Sequence, residues 1–137
     1  MTMIYDKVTI IGIGLIGASI ALSVRRGGLA GQVVGSDLSS GVAATVSRLQ
    51  ITDQFEADAA IAVMDADLVI MAVPVGTVGM LAKQIIPHMK AGAVLTDTGS
   101  TKTSVLLDVE PHLNGEIHWL PSHPLAGTEH SGPEAEF

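Results

Sequence analysis

The chain has 137 residues, which suits one domain with a hydrophobic core and is too short for two domains of ordinary size. Hydrophobic residues make up 47% and charged residues 15%, a balance that excludes a disordered chain. The formal net charge of -7 argues against nucleic acid or an anionic membrane as a partner, and the aromatic content of 3% leaves no platform for stacking bases.

The absence of cysteine excludes disulfides and thiolate metal sites, and it fits the reducing environment of the cytoplasm. No uninterrupted apolar run approaches the roughly 18 residues of a membrane span. The first six residues lack the basic region of a secretory signal. We therefore expect a cytoplasmic protein that binds neither a membrane nor a nucleic acid.

Apolar stretches and segments with helical periodicity alternate along the chain. Predicted strands cover residues 7–12, 32–36, 68–73, 93–96 and 117–120, with a weaker candidate at 51–55. Predicted helices cover residues 14–26, 40–49, 57–64, 78–86 and 101–112. From residue 68 onward a strand begins about every 25 residues and a helix follows it, which is typical of a doubly wound, parallel α/β sheet rather than a sandwich or a bundle. We therefore predict one α/β domain over residues 1–137, without an internal linker.

A glycine-rich segment follows the first predicted strand and opens the first predicted helix. It consists of Gly12, Ile13, Gly14, Leu15, Ile16 and Gly17. In a dinucleotide-binding βαβ unit the first glycine allows a tight turn, the second lets the backbone approach the pyrophosphate, and the third lets the helix pack closely on the sheet. The phosphates then lie on N–H groups at the positive end of the helix dipole. Because strand, helix, second strand and a following acid are all in place, we predict a dinucleotide site rather than ordinary turns.

Asp37 follows the second predicted strand, where a carboxylate accepts hydrogen bonds from the adenosine ribose hydroxyls in such a unit. A 2′-phosphate would meet like charge at this point. Ser39 and Ser40 offer hydroxyls to a phosphate, but no Arg or Lys lies within several residues to pair with it. We therefore predict NAD in preference to NADP. The alternative role for Asp37 is that of a helix cap, and Ser39 or Ser40 is a further candidate cap for the second helix.

Two further segments follow predicted strands. Val73 and Pro74 come where the nicotinamide end of the cofactor should pass, and they can pack on a ring or a ribose or merely end the strand. Residues 97–102, Asp-Thr-Gly-Ser-Thr-Lys, are denser in polar groups than a connection needs. Ser100 can lie beside the nicotinamide and orient a catalytic partner, or it can cap the next helix. Lys102 can point at an anionic ligand or remain an exposed surface residue.

His123 is the candidate acid or base. It follows the last predicted strand, and Pro124 holds its backbone extended. A dehydrogenase must remove an alcohol proton as hydride leaves, and a neutral imidazole near pH 7 suits that task. The other four histidines have no such placement and are expected at the surface. All the candidate segments follow predicted strands, so we expect one site along the carboxyl edge of the sheet.

Three segments together resemble the prephenate and arogenate dehydrogenase family. Residues 122–132 read Ser-His-Pro-Leu-Ala-Gly-Thr-Glu-His-Ser-Gly and are similar to the HPxAGxExSG signature of that family. Residues 12–19 and 97–102 resemble the family's cofactor segment and its Asp-x-Gly-Ser-x-Lys segment, in the same order. The three motifs are spread over the whole chain, and the last is highly specific. The resemblance implies a Rossmann-type, mainly parallel sheet that binds NAD.

The family oxidatively decarboxylates prephenate or arogenate on the way to tyrosine. The resemblance therefore implies an NAD-dependent oxidoreductase in which hydride passes from the hydroxyl-bearing ring carbon to NAD. Loss of carbon dioxide then makes the ring aromatic and gives 4-hydroxyphenylpyruvate or tyrosine. By the same resemblance His123 accepts a hydrogen bond from the ring hydroxyl and assists its deprotonation, Ser100 orients His123 and the nicotinamide, and Glu129 lies at the entrance of the substrate cleft. No metal is implied.

Members of the family continue into a helical C-terminal domain that dimerises and supplies cations for the substrate carboxylates, whereas this chain ends at Phe137 without a spare basic cluster. We therefore expect a cofactor-binding portion that lacks most of the substrate site, with residues 131–137 poorly anchored. Two alternatives remain at this point. One is a non-catalytic NAD-binding module in which His123 has no chemical role. The other is a β-hydroxyacid dehydrogenase, which would not explain residues 123–132.

Overall fold

The computed structural model describes residues 4–37, 40–98 and 102–121. Six strands in these ranges form one sheet, and every neighbouring pair of strands is parallel. The strands are β1 (Tyr5–Ile11), β2 (Ala30–Ser36), β3 (Gln54–Phe55), β4 (Leu68–Met71), β5 (Val94–Asp97) and β6 (His118–Trp119). Their order across the sheet is β3-β2-β1-β4-β5-β6.

Helices connect successive strands. They are α1 (Leu15–Gly27), α2 (Ser40–Leu49), α3 (Ala59–Ala62), α4 (Val78–Ile85) and α5 (Lys102–Val109), with short 3-10 turns at Val75–Thr77, Ile86–His88 and Glu110–His112. Of the helices described, none is long and apolar enough to cross a membrane. The predicted doubly wound α/β fold is confirmed.

The strand order reverses between β1 and β4, because the chain first adds strands on one side of β1 and then on the other. In open parallel sheets, ligands bind in the crevice outside the carboxyl ends of the strands at such a reversal. The glycine-rich segment leaves β1 at this point, and residues 72–74 leave β4 beside it. The topology therefore predicts a ligand site at the carboxyl edge of the sheet, where β1 and β4 end.

Each face of the sheet buries its own hydrophobic cluster, as the period-2 alternation of strand side chains requires. One cluster joins strand residues to α1 and α2 and includes Val8, Ile10, Ala21, Val33, Val46 and Ile70. The other joins strand residues to α3, α4 and α5 and includes Val63, Val69, Met71, Val78, Leu95 and Val105. In the described part of the chain, helices thus cover both faces of the sheet, which leaves its edges for a ligand.

Some element boundaries differ from those predicted, and proline or a cap accounts for two of them. The predicted helix 57–64 begins only after Asp58, whose Oδ1 accepts the Ala60 N–H at 2.9 Å. The predicted helix 101–112 becomes a 3-10 turn at Glu110, because Pro111 has no N–H to continue the α-helical ladder. The predicted strand 68–73 ends at Met71, and the weak candidate 51–55 forms only the two residues of β3.

Asp67 joins three strands at the amino edge of the sheet. Its Oδ2 accepts the N–H groups of Asp6 and Lys7 at 2.7 and 3.1 Å, and its Oδ1 forms an ion pair with Lys90. Its own N–H donates to Lys7 O at 2.9 Å, and its carbonyl accepts the Val94 N–H at 2.9 Å. The hydrogen bond from Lys90, followed by that from the Lys7 backbone, holds the pKa of the Asp67 carboxyl below its ordinary value.

Because its pKa is lowered by folding, the ionised Asp67 stabilises the native chain at neutral pH, and this contribution is lost as the pH falls through the native-state pKa. We expect Asp67→Asn to lower the free energy of unfolding at pH 7, since an amide loses the ion pair and part of the backbone bonding. The difference between the two chains should shrink steadily in acid. Urea unfolding across the acidic range measures it, and a difference that did not depend on pH would contradict this role.

Candidate cofactor-binding site

A cleft of about 480 Å³ opens at the carboxyl edge where β1, β2 and β4 end. Four parts of the chain line it: the glycine turn, the end of β2, the segment around the start of α3, and the stretch from the end of β4 into α4. The lining residues are Ile11, Gly12, Gly14, Ser36, Asp37, Ala57, Ala59, Ala72, Val73, Pro74, Thr77, Met80, Leu81 and Gln84. Most of this lining is apolar, and Asp37 is its one charged side chain among the described residues.

Gly12 and Gly17 allow β1, α1 and β4 to approach one another at the bottom of the cleft. Gly12 has a φ of 94°, and a Cβ on it would lie 2.4 Å from the Ala72 carbonyl oxygen. A Cβ on Gly17 would lie 2.0 Å from the Gly12 carbonyl oxygen. Real Cβ atoms do not come so close to backbone atoms, so these two glycines are needed for the backbone path itself.

Gly14 is different, because it faces open space. It is the N-cap of α1, and a Cβ placed on it would meet nothing within 4 Å. Among the described residues no side chain caps this helix end, and the first turn of α1 contains no acidic residue. In the described residues, the first hydrogen bond of α1 runs from the Ala18 N–H to Gly14 O at 2.9 Å, so the amides ahead of Ala18 have no acceptor within the helix. A 13-residue helix thus presents its positive end at the cleft.

The two apolar residues after Gly14 do not pack into the core. Leu15 is 90% exposed and Ile16 is 50% exposed. A ligand phosphate at this helix end would therefore meet their backbone N–H groups, since their side chains offer no polar atom.

Asp37 lies on the cleft wall formed by the end of β2 and is half-buried. Its Oδ2 accepts the N–H of Ile13, in the glycine turn, at 2.9 Å. Next to it, the carbonyl oxygen of Ser36 accepts the Gly12 N–H at 2.7 Å. The carboxylate predicted to bind a ribose is therefore also attached to the turn that is predicted to bind the phosphates.

Val73 and Pro74 lie in the same cleft as Asp37, on the side formed by the end of β4. A 3-10 turn follows them directly, and Thr77 closes it by donating from its N–H and its Oγ1 to Pro74 O at 2.9 and 2.8 Å. The Ala72 N–H donates to Ile11 O at 2.8 Å, which keeps this segment beside the glycine turn. Val73 and Pro74 are thus held at the border of the cleft that also contains Asp37.

The predicted catalytic residues are not placed by the structure. Ser100, His123 and Glu129 lie outside the described residues, as do residues 131–137 and the candidate cap Ser39. Of the segment 97–102, the structure describes Asp97, which is buried at the end of β5, Thr98, whose N–H donates to Met71 O at 3.1 Å, and the backbone of Lys102, which begins α5. That bond brings the start of this segment to the end of β4, on the same edge of the sheet as the cleft.

Sequence reasoning missed part of the cleft wall. The cleft is also lined by Thr77, Met80, Leu81 and Gln84. Of these, the sequence pattern indicated only Leu81, and only as part of a periodic apolar helix face. Successive members of this set are three, one and three residues apart, which places them on one helix face beside the buried face of α4. This spacing could have been used to predict them from the sequence. Ser36 and Ala57 carry no signal of this kind, because folding alone brings them to the cleft.

Over the described ranges, no group of three His, Asp or Glu side chains is placed to hold a metal ion. The described cleft can supply backbone donors, one carboxylate, the polar side chains of Ser36, Thr77 and Gln84, and an apolar wall. These groups suit a ligand that combines phosphates, a hydroxylated sugar and a flat ring.

Comparison with known proteins identifies the family. Residues 20–137 match the family described as prephenate dehydrogenase, nucleotide-binding domain. The cyclohexadienyl dehydrogenase of Zymomonas mobilis is 38% identical over 134 residues, which are 98% of this chain and 45% of that protein. These matches extend over nearly the whole of the chain.

Solved structures agree with the sequence match. The prephenate dehydrogenase of Aquifex aeolicus, crystallised with hydroxyphenyl propionate and NAD+, superimposes with a TM-score of 0.77 at 32% identity, over 98% of this chain and 46% of that one. The arogenate dehydrogenase of Synechocystis gives a TM-score of 0.76 at 25% identity, over 86% and 40%. The chain spans less than half the length of each of these relatives. It belongs to the prephenate dehydrogenase family, of which it matches the nucleotide-binding domain.

Proposed function

We propose that the chain is the NAD-binding portion of an NAD-dependent prephenate or arogenate dehydrogenase of tyrosine biosynthesis. The observation that carries the proposal is the uncapped N-terminus of α1, which opens at Gly14 into a cleft that also holds the Asp37 carboxylate. Such a helix end offers unpaired N–H donors and a positive dipole to a pyrophosphate. A carboxylate at the end of the next strand suits the ribose hydroxyls of the same ligand.

The chemistry of the described residues supports this proposal. The space over Gly14, which even a methyl group would partly fill, is where the backbone can approach the phosphates. Asp37 would accept hydrogen bonds from the adenosine ribose, and Val73 with Pro74 would pack on a ring or ribose at the nicotinamide end of the cofactor. The cofactor, when bound, would accept the hydride that leaves the substrate ring carbon.

We propose NAD rather than NADP as the cofactor. Within the described residues, the lining of the cleft contains the Asp37 carboxylate and no Lys or Arg. A 2′-phosphate would lie near this carboxylate without a cation to pair with, and its desolvation and repulsion would cost affinity.

For catalysis we propose the roles that the sequence resemblance implies. His123 would accept the proton of the ring hydroxyl, Ser100 would orient His123 and the nicotinamide, and Glu129 would lie at the entrance to the substrate cleft. The cations that bind the substrate carboxylates would come from the remainder of the enzyme, which we propose to be a cytoplasmic homodimer. The relatives' greater length leaves room for such a part.

Calorimetric titration of the chain with NAD and with NADP tests the proposal. A repulsion of about 1.4 kcal/mol between the Asp37 carboxylate and a 2′-phosphate would weaken binding about tenfold. We therefore expect NAD to bind at least about tenfold more tightly than NADP. Equal affinities would refute the preference for NAD. Failure of both nucleotides to bind would refute the proposed cofactor site.

A further inference from the structure

We propose that Ile13 is a positioning residue, which holds the phosphate-binding turn in place without itself touching the cofactor. The inference rests on the proposed NAD site and adds to it a mechanism by which β2 shapes the turn. Three consecutive residues at the end of β2 and directly after it, Gly35, Ser36 and Asp37, each contact the turn.

Two of these contacts are hydrogen bonds. The Ser36 carbonyl accepts the Gly12 N–H at 2.7 Å, and the Asp37 Oδ2 accepts the Ile13 N–H at 2.9 Å. The Ile13 N–H is therefore directed to Asp37, while the donors ahead of Ala18 in α1 are left for a phosphate.

The third contact is a packing contact. The Ile13 side chain is 6% exposed and belongs to the hydrophobic cluster under α1 and α2. It packs against Gly35, where a Cβ would lie 3.2 Å from Ile13 Cδ1 and 2.9 Å from Thr52 Cγ2. Gly35 thus leaves the space that lets the Ile13 side chain enter the core.

Together these contacts fix Ile13 from two directions, through its side chain and through its N–H. Gly14 and the first turn of α1 follow directly, so the position of Ile13 sets where the phosphate donors lie. A turn that is held in place before binding loses less freedom when the ligand arrives. Loosening Ile13 should therefore weaken ligands that carry the pyrophosphate and spare a ligand that lacks it.

The test compares ADP with adenosine as ligands of the chain, by NMR titration. We expect Ile13→Ala to weaken ADP binding by about tenfold, from lost preorganisation, and to leave adenosine binding within about twofold. The matched control is Ile117→Ala, which removes the same atoms from a residue that is 8% exposed in the cluster on the other face. That variant should lower the unfolding temperature without changing the ratio of ADP to adenosine affinity.

A second set of variants keeps the inference testable if Ile13→Ala does not fold. Thr52→Ser removes the methyl that a Cβ at position 35 would meet and keeps the hydroxyl that donates to Gln54 O at 2.8 Å. In that background, Gly35→Ala should crowd Ile13 and weaken ADP selectively. Adding Ile13→Val, which removes the crowded Cδ1, should restore ADP binding by about threefold, since preorganisation is regained.

The outcomes separate this inference from the proposed function. If the unsubstituted chain binds ADP but Ile13→Ala weakens ADP and adenosine equally, or no more than Ile117→Ala does, Ile13 has no positioning role. If the unsubstituted chain binds neither ADP nor NAD, the proposed cofactor site fails and the inference fails with it.

Discussion

Gly14→Ala is expected to lower NAD affinity by about 100-fold while changing the free energy of unfolding by less than about 1 kcal/mol. The added methyl meets no protein atom within 4 Å, and the φ of -83° at this residue is open to alanine. The space that it fills is the one we assign to the pyrophosphate. A bulky group there would hold the phosphates away from the N–H groups of α1.

Gly17→Ala is the matched substitution three residues further along the same turn of the chain. Its methyl would lie 2.0 Å from the Gly12 carbonyl oxygen, so α1 must move away from β1. We expect a loss of about 3 kcal/mol or more in the free energy of unfolding, as overpacking against backbone atoms requires. Both variants add one methyl group. We expect Gly14→Ala to lower NAD affinity and Gly17→Ala to lower the free energy of unfolding.

Urea unfolding and calorimetric NAD titration of both variants measure the two effects. The site assignment would be contradicted by a Gly14→Ala chain that binds NAD as tightly as the unsubstituted chain. The structural role would be contradicted by a Gly17→Ala chain of unchanged stability.

Asp37→Ala is expected to weaken NAD binding by about 30-fold or more, the effect of losing hydrogen bonds to a charged acceptor. It also removes the acceptor of the Ile13 N–H and should cost about 1 kcal/mol of stability. Asp37→Asn separates these effects. The amide oxygen can still accept the Ile13 N–H, but the charge that disfavours a 2′-phosphate is gone.

We therefore expect Asp37→Asn to retain most of the stability and to bring the affinities for NAD and NADP closer together. Titration of both variants with both nucleotides gives the four affinities that are needed. A preference for NAD that persisted in Asp37→Asn would show that charge at this residue does not set the choice of cofactor.

Much of the fold was predictable because its signals are local. The apolar run of β1, the glycine turn and the periodic α1 are contiguous in sequence, and the Gly28 cap with its φ of 64° ends the helix close to where the pattern stops. The parallel sheet followed from the regular alternation of strands and helices. Its order, with β1 between β2 and β4, follows the same architecture.

The parts of the site that escaped prediction depend on contacts between distant segments. The hydrogen bond from the Ile13 N–H to Asp37 joins residues that are 24 positions apart, and no sequence periodicity predicts it. Met80 and Gln84 line the cleft because α4 and β4 pack in one hydrophobic cluster, although the sequence of α4 by itself indicates only an amphipathic helix. Of the predicted strand 51–55, only Gln54 and Phe55 pair with β2. Pairing in the sheet, and not the apolar composition of the segment, therefore sets the length of β3.

The assignment of the carboxyl-edge cleft as the NAD site is tested most directly by amide chemical shifts on titration with NAD. We expect the largest shifts at Gly14, Asp37 and Val73, which surround the cleft. The amides of Lys7 and Lys90, around Asp67 at the opposite edge of the sheet, should stay unchanged and serve as the internal control. Shifts centred on the amino edge, or no shifts at saturating NAD, would contradict the assignment.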